Sequence, residues 1–580
     1  MPNLGRLDRS VPSLSAGNIA SIAVQVTLAH WQTYMVKSLV AHLLLYLTLG
    51  IAVLILILAA SFVAVVSGDN ASVWMVVLSL GMILGVPIAA YGFARFTATG
   101  GLLARLVFNV LANQTEPEPV SQKQIYSRTW AYLRASLWFG LVMGLIYLAL
   151  GAIAVGLVWS AIPLMDGIRA AIVDTETGPL ILLLLFILAL LVFLALGLLI
   201  YYVTARFWFY DIVLALEDRV SAQAAVGRSW QLTQALGWQV TTVMFIGSLV
   251  TLPVILLTTT VNIFVPIAGF LGSIFMFPLW QAMKAVSYYD CATINEGLTF
   301  DLEKVSAPPQ RFLRRVAIQT PESLELDFAL GGIGSRAFAW VVDQTVLYLV
   351  LTLFWLLGAA LYAYALVPAV TETLGTGSLE QLSLWLLAIA GLLSYGISNG
   401  YYIGFETFWQ GQTPGKRLAK IRVVQDNGQP VGLREASLRS LIGPIDVGVL
   451  LVGYLLILLS QSEKRLGDLA AGTLVIQDQT LPVRQQATTQ MQFADGAPET
   501  AQLLLAQTNV KALTGDQYLV LQKFLGYRSR LSPTMQTQVT TKLAAQLRQI
   551  ITPPDQDLTL DVSDRELLEA AYLACRELSA

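Results

Sequence analysis

Two arginine–aspartate pairs at one spacing carry the ionisable chemistry of the chain. Arg336 and Asp343 stand seven residues apart in SRAFAWVVDQTVLYLV, and Arg439 and Asp446 repeat the interval. Seven residues make two helical turns, so the members of each pair share a face, about 20° out of register. Both pairs sit at the mouths of apolar stretches. An ionisable group near the bilayer centre costs roughly 2.5–3.5 kcal/mol on insertion scales, so such groups turn into the protein and pair. Arg336 is therefore expected beside at least one of Asp343, Glu406, Asp446 or Asp468, and Asp446 is expected either to rely on Arg439 alone or to be less well neutralised. A carboxylate that can change protonation is also what a cation or proton pathway requires, and Asp343, Glu406 and Asp446 are the candidates.

Between the two pairs runs YYIGFETFWQGQTPGKRLAKIRVVQDNGQPVG. It places Glu406 at the end of an apolar segment, then the turn-forming Thr413-Pro414-Gly415, then Lys416 and Arg417. Residues 421–424 alternate as a strand and enter a tight turn at Asp426-Asn427-Gly428. Further on, KRLGDLAAGTLVI supplies Arg465, Asp468 and a second β-type run at 473–476. Two short strands are stable only with a partner, so these runs are expected to pair.

Arg336-x-x-Ala339-x-x-x-Asp343, GQTPGKRLAKIRVV, Arg439 through Asp446 and RLGDLAAGT, in this order over about 327–478, resemble the RDD family of bacterial membrane proteins. The family's named Arg, Asp and Asp fall on Arg336, Asp343 and Asp446. Many members carry a second arginine three residues before the last aspartate, where this chain has Gly443 followed by Pro444. The resemblance implies a bacterial plasma-membrane protein. It also implies movement of ions or small solutes, sodium–proton exchange among them, as a candidate activity.

The composition requires a membrane. Apolar residues make up 56% and charged residues 12% of the 580, against about 25% charged in soluble domains. No charge falls between Lys37 and Asp69, more than the roughly 20 residues that cross a bilayer. Six spans are expected near 38–66, 73–98, 134–162, 180–204, 238–260 and 264–287, and two more near 337–363 and 382–405. A ninth apolar segment, 440–460, is expected to enter the bilayer and return, bending at Gly443-Pro444. The loops 95–134, 205–238 and 284–336 are rich in Arg and Lys, whereas 364–381 has none. That asymmetry places the N-terminus, the basic loops and the C-terminal tail in the cytoplasm.

The expected fold is an all-α polytopic membrane protein. It comprises a six-span domain over 1–300, a linker at 301–326, an RDD domain over 327–480 with a small β-ribbon, and a soluble helical tail over 481–580. The six-span part contains a weak repeat. LAHWQTYMVKSL, YSRTWAYLRASLW and AVGRSWQLTQALGW each open a unit at the interface. Units one and two close on Ala94-Arg95-Phe96 and Ala205-Arg206-Phe207, and Tyr288-Tyr289-Asp290 echoes Phe209-Tyr210-Asp211. Through SAQAAVGRSWQLTQALGW at 221–238, this half resembles the membrane domain that precedes some glycerophosphodiester phosphodiesterases. In the tail, Thr514 with Gln517 and Ser563 with Glu566 form capping boxes, and Ser532-Pro533 opens a helix. Leu519, Val520, Phe524 and Leu525 make one apolar stripe, and Leu543, Leu547 and Ile550 another, enough for about three helices.

An enzyme is the weakest expectation. The two histidines, His30 and His42, match no metal motif, and His42 is expected to be a packed side chain. No nucleophile elbow or phosphate loop is present. Cys291 and Cys575 have no pairing pattern, no cofactor is expected, and no basic tract suits nucleic acid. Two functions stay open. One is a cation or proton exchanger built on the polar set. The other is a non-transporting scaffold or assembly factor whose tail binds a protein partner. They differ in whether Asp343 and Asp446 face a water-filled cavity or a dry, ion-paired seam.

Overall fold

The computed structural model describes residues 14–66, 71–114, 116–172, 178–217, 220–234, 236–265, 267–296, 312–319, 325–374, 377–448, 452–478, 493–494, 496–528, 533–552 and 562–579. The first described helix is α1 (Ala16–Ala29), capped by the Ser15 hydroxyl, which accepts the Asn18 N–H at 3.2 Å. Its sequence carries no charge and its residues are buried around most of the circumference, so it behaves as an internal strut.

Next come α2 (Trp31–Val66), α3 (Ala71–Leu111), α4 (Glu118–Ser127), α5 (Thr129–Ile172), α6 (Gly178–Arg206), α7 (Tyr210–Leu216), α8 (Ala222–Leu232), α9 (Gly237–Asn262) and α10 (Ala268–Glu296). The opening segments of the first two repeat units are largely continuous with their spans, α2 and α5. The third forms a helix of its own, α8. The tripeptide arginines explain the repeat: Arg95 lies 3.5 Å over the ring of Tyr126, and Arg206 lies 4.2 Å over Trp230. The arginine that ends one unit stacks on an aromatic that opens the next. The two echoed aspartates are both tied down. Asp211 pairs with Lys284 at 2.6 Å, and Asp290 accepts the Leu14 N–H at 3.2 Å and the Gln239 amide at 2.8 Å.

The second half begins with a hairpin of β1 (Arg315–Gln319) and β2 (Glu325–Ala329), in register Arg315↔Ala329 to Gln319↔Glu325. The segment expected to be a plain linker thus contains β1 and the first residues of β2. Then follow α11 (Ile333–Leu361), one π turn at Tyr362–Leu366, α12 (Val367–Leu374), α13 (Gly377–Phe408), α14 (Pro414–Leu418), β3 (Ile421–Gln425), α15 (Leu433–Gly448), α16 (Val452–Leu459), α17 (Leu466–Ala471) and β4 (Thr473–Gln477). β3 and β4 pair antiparallel, Ile421↔Gln477 to Gln425↔Thr473, as the alternation required. Gly331 N donates to Val475 O at 2.8 Å, which sets the β1–β2 hairpin beside this ribbon.

Among the described residues, seven helices are long and apolar enough to cross a bilayer. The apolar window of the Ile187–Leu216 stretch is 0% buried within the protein, whereas that of α9 is 44% buried, so α9 stands inside the bundle and the former faces lipid. α10, expected as a crossing, has the length but not the apolar composition, since Gln281, Lys284 and Asp290 occupy its second half. The segment 440–460 turns back on itself. α15 and α16 are about 24 Å and 12 Å long at 1.5 Å per residue, short of a core about 30 Å thick. The paired strands that flank them bring the chain back to its starting side. The bend is not at Gly443-Pro444, however. α15 runs through both to Gly448, with Pro444 on its exposed side.

The first half and the ribbon are joined by α1, which crosses α11 at small residues. A Cβ on Gly17 would lie 2.6 Å from Ser335 Cα, and one on Gly334 2.4 Å from Gly17 O, so only glycine permits the approach. Polar bonds fix the crossing: Gly334 N to Ser21 Oγ at 3.1 Å, Asn18 to Gln477 at 3.2 Å, and Gln25 to Glu463 at 2.7 Å.

Among its described residues the tail has four helices where about three were expected: α18 (Ala497–Gln507), α19 (Gly515–Tyr527), α20 (Pro533–Ile551) and α21 (Asp564–Ser579). They share a core of Leu504, Val520, Leu521, Phe524, Leu543, Leu547 and Leu568. The Thr514–Gln517 capping box forms. Ser563 caps Glu566 N at 3.3 Å, but the Glu566 side chain instead accepts the Thr500 hydroxyl at 2.8 Å. Ser532 lies outside the described residues. The buried Glu569 holds Arg528, Arg565 and the Ala494 N–H.

Candidate functional site

The polar set converges where α11, α13, α14, α15 and α17 meet the ribbon. At its centre is Asp468, third residue of α17 and fully buried. Its Oδ2 accepts the Arg465 N–H at 3.1 Å, which caps α17, and Arg336 Nη1 at 2.9 Å. Its Oδ1 accepts Arg439 Nη1 and lies 3.5 Å from Arg465 Nε. Burial alone would raise the Asp468 carboxyl, but Arg439, Arg465 and Arg336 together hold it well below the usual carboxylate range.

Arg439 is 2% exposed and links two acids. It donates to Asp468, to Thr473 Oγ1 at 2.7 Å, and from Nε to Glu406 Oε2 at 3.2 Å. The second oxygen of Glu406 takes Lys416 Nζ. Burial lowers the proton affinity of Lys416, and Glu406 opposes that shift. Asp446 accepts the Leu466 and Gly467 N–H groups at 3.1 and 3.3 Å and lies 3.6 Å from Arg465 Nε. Four cations and three carboxylates thus form one connected network.

Asp343 stands beside this network without an ion pair among the described residues. Its oxygens accept Tyr401 Oη at 2.9 Å, Thr413 Oγ1 at 2.6 Å and Gly415 N at 2.8 Å. The last contact explains the turn sequence. A Cβ at residue 415 would lie 2.1 Å from Ala339 O and 2.8 Å from Asp343 Cγ, so the turn seats on α11 only with glycine there.

The expected pairings are therefore redistributed. Arg336 does pair with one of its four candidate acids, Asp468, but not with Asp343 of its own helix. Arg439 pairs with Glu406 and Asp468, and Asp446 relies on Arg465 rather than Arg439. The reason is reach: residues seven apart are about 10.5 Å apart along the axis, so each charge is neutralised across helices. Arg417 is outside the network, exposed with its guanidinium 5.2 Å over Trp409. Tyr401, Thr413, Thr473 and Glu463 were not singled out in the sequence. The Tyr401-Tyr402 doublet at a span mouth and the threonine of the turn were the legible signals for two of them.

The cluster is dry. Asp343, Glu406, Arg439, Asp446 and Asp468 are all at most 4% exposed. Among the described residues no group of three or more His, Cys, Asp or Glu is placed to hold a metal ion. Elsewhere, His42 is a packed side chain, its Nδ1 2.8 Å from Ser38 O and its ring edge-on to Phe96 and Phe277.

Comparison with known proteins points to the same stretch. The family model of the RDD family matches residues 330–472. A Bacillus subtilis (strain 168) protein, described as uncharacterized protein YckC, is 33% identical over 131 residues, 21% of this chain and 82% of that protein. No solved structure matches the chain. The likeness of the first half to the glycerophosphodiester phosphodiesterase membrane domain gains no support from these comparisons.

Proposed function

This chain belongs to the RDD family, and from that membership we propose that it works as a non-transporting membrane scaffold. Its polar set is a clamp, its tail a protein-docking module, and it catalyses no covalent reaction. One observation carries this reading: Asp343 and Asp446, the carboxylates a carrier would use, are buried at 1% and 4% exposure. Every oxygen of both is already engaged. A carboxylate that binds and releases a cation needs a water path, and a buried seam with every oxygen already bonded disfavours one. The ribbon returns the chain to the side of the clamp. With the basic loops this supports a bacterial plasma membrane and a cytoplasmic tail. The tail's own core suits a module that recruits a partner protein.

A second reading, cation or proton exchange, is favoured by Asp343 alone, since it is a charged group at the mouth of a span with hydrogen bonds but no cation partner. Flux in proteoliposomes separates the two. For a scaffold, the purified full-length protein dissipates an imposed pH gradient no faster than empty vesicles, with or without sodium. Sodium-dependent dissipation that disappears in both Asp343→Asn and Asp446→Asn would replace the scaffold with the exchanger.

A further inference from the structure

A cavity of about 560 Å³ opens between the start of α5 and the start of α8. Its lining includes Arg128, Trp130, Arg134, Trp138, Ser221 and Gln223, and among the described residues no acidic side chain. Arg128 is turned to its floor: it donates to the carbonyls of Leu214 at 2.9 Å, Glu217 at 3.3 Å and Val220 at 2.7 Å. Carbonyls satisfy the donors of a guanidinium but leave its charge uncancelled. Glu217, the acid at the end of α7, is engaged by Arg228 at 3.2 Å. Arg134 is exposed and has no hydrogen bond or ion pair among the described residues. Among the described residues the groove therefore holds two positive charges and no negative one. Ala222 and Gln223, the first residues of α8, also line it, and their N–H groups have no acceptor within the helix.

The position of the groove selects the ligand. Trp130 and Trp138 are 53% and 39% exposed at the first turns of a membrane helix, where indoles mark the headgroup level. On the same side of α5, Leu137, Leu141, Leu145 and Leu148 follow at intervals of three and four, each more than half exposed, and make an apolar track about 17 Å long. An anion held at Arg134 with hydrocarbon laid along that track has the shape of a lipid. We propose that this groove is a binding site for one anionic phospholipid, its phosphate at Arg134 and the amide end of α8, its acyl chains along α5. This assignment is independent of the scaffold reading.

Native mass spectrometry of the full-length protein tests it, after exchange into detergent with equal phosphatidylglycerol and phosphatidylcholine. The expected result is one phosphatidylglycerol retained in preference to phosphatidylcholine. Retention should fall roughly fivefold in Arg134→Ala, persist largely in Arg134→Lys, and be unchanged in Arg434→Ala, which removes an exposed charge elsewhere. Because Arg134 is exposed, its loss leaves folding intact, and an unshifted melting curve checks that. Equal retention of the two lipids, or an equal fall in Arg434→Ala, overturns the site. Displacement of the lipid by millimolar inorganic phosphate would instead assign the groove to a soluble anion and overturn the lipid.

Discussion

The two membrane halves differ in what chiefly holds their buried arginines. In the first half, Arg206 donates to the carbonyls of Trp230, Thr233 and Gln234 at the end of α8. Arg128 and Arg105 do the same at the end of α7, where Arg105 also forks onto Glu116. These are helix C-termini, whose last carbonyls lack intrahelical donors and whose dipole favours a cation. In the RDD half, arginines are held by carboxylates, and Asp468 is shared among three of them. A carbonyl clamp is local, so losing one leaves the rest standing. A shared carboxylate makes its network succeed or fail together, because removing one ion strands the others in a dry interior.

The largest expected consequence is in Asp468→Ala. It should lower unfolding stability in detergent by about 3–5 kcal/mol, read as a shift in the denaturation midpoint. Arg206→Ala should cost less, about 1–3 kcal/mol for orphaned carbonyls; equal losses would break the contrast. Acid should come next and should divide the halves. Asp468 is held low in the folded state, so its contribution is complete above the ordinary carboxylate range, near pH 4, and is lost as pH falls through its lower folded value. Hydrogen exchange should show the RDD half keeping its protection down to about pH 4 and losing it below, while the carbonyl clamps, which do not titrate, stay protected. Opening of the RDD half near pH 6 would refute the assignment. The smallest effect is expected when Glu406→Gln and Lys416→Met are combined. Replacing a buried pair together is often close to neutral, so the double variant should lie nearer the wild type than either single one. A double variant worse than both singles would mean the pair does more than cancel charge.

What the sequence made legible differs between the same two regions. The apolar runs located the membrane helices, because burial in lipid is written in composition. The alternation at 421–424 and the largely β-branched run at 473–476 foretold β3 and β4. The members of the polar set were legible by type, but their partners were not. Arg336 and Asp343 share a helix face, yet tertiary packing gives one to Asp468 and the other to Tyr401, Thr413 and Gly415. Helix α1 escaped notice because it is short and buried on most sides, so neither a span-length run nor an amphipathic stripe announces it. The β1–β2 hairpin was missed although Leu326 and Phe328 alternate with charged residues, because the flanking prolines and charges suggested a linker. The helix run through Gly443-Pro444 went the other way, a strong local breaker overruled by its setting.

Helix α1 sets a timetable for making the protein. Asn18 meets Gln477, 459 residues later in the chain, and Gln25 meets Glu463, 438 residues later. At about 5–20 residues per second, a typical pace of synthesis, roughly 20–90 seconds separate the emergence of this uncharged, largely apolar helix from that of its last partners. Throughout that interval it must be sheltered, by the membrane surface or by the insertion machinery. An element made early is thus among the last to find its place.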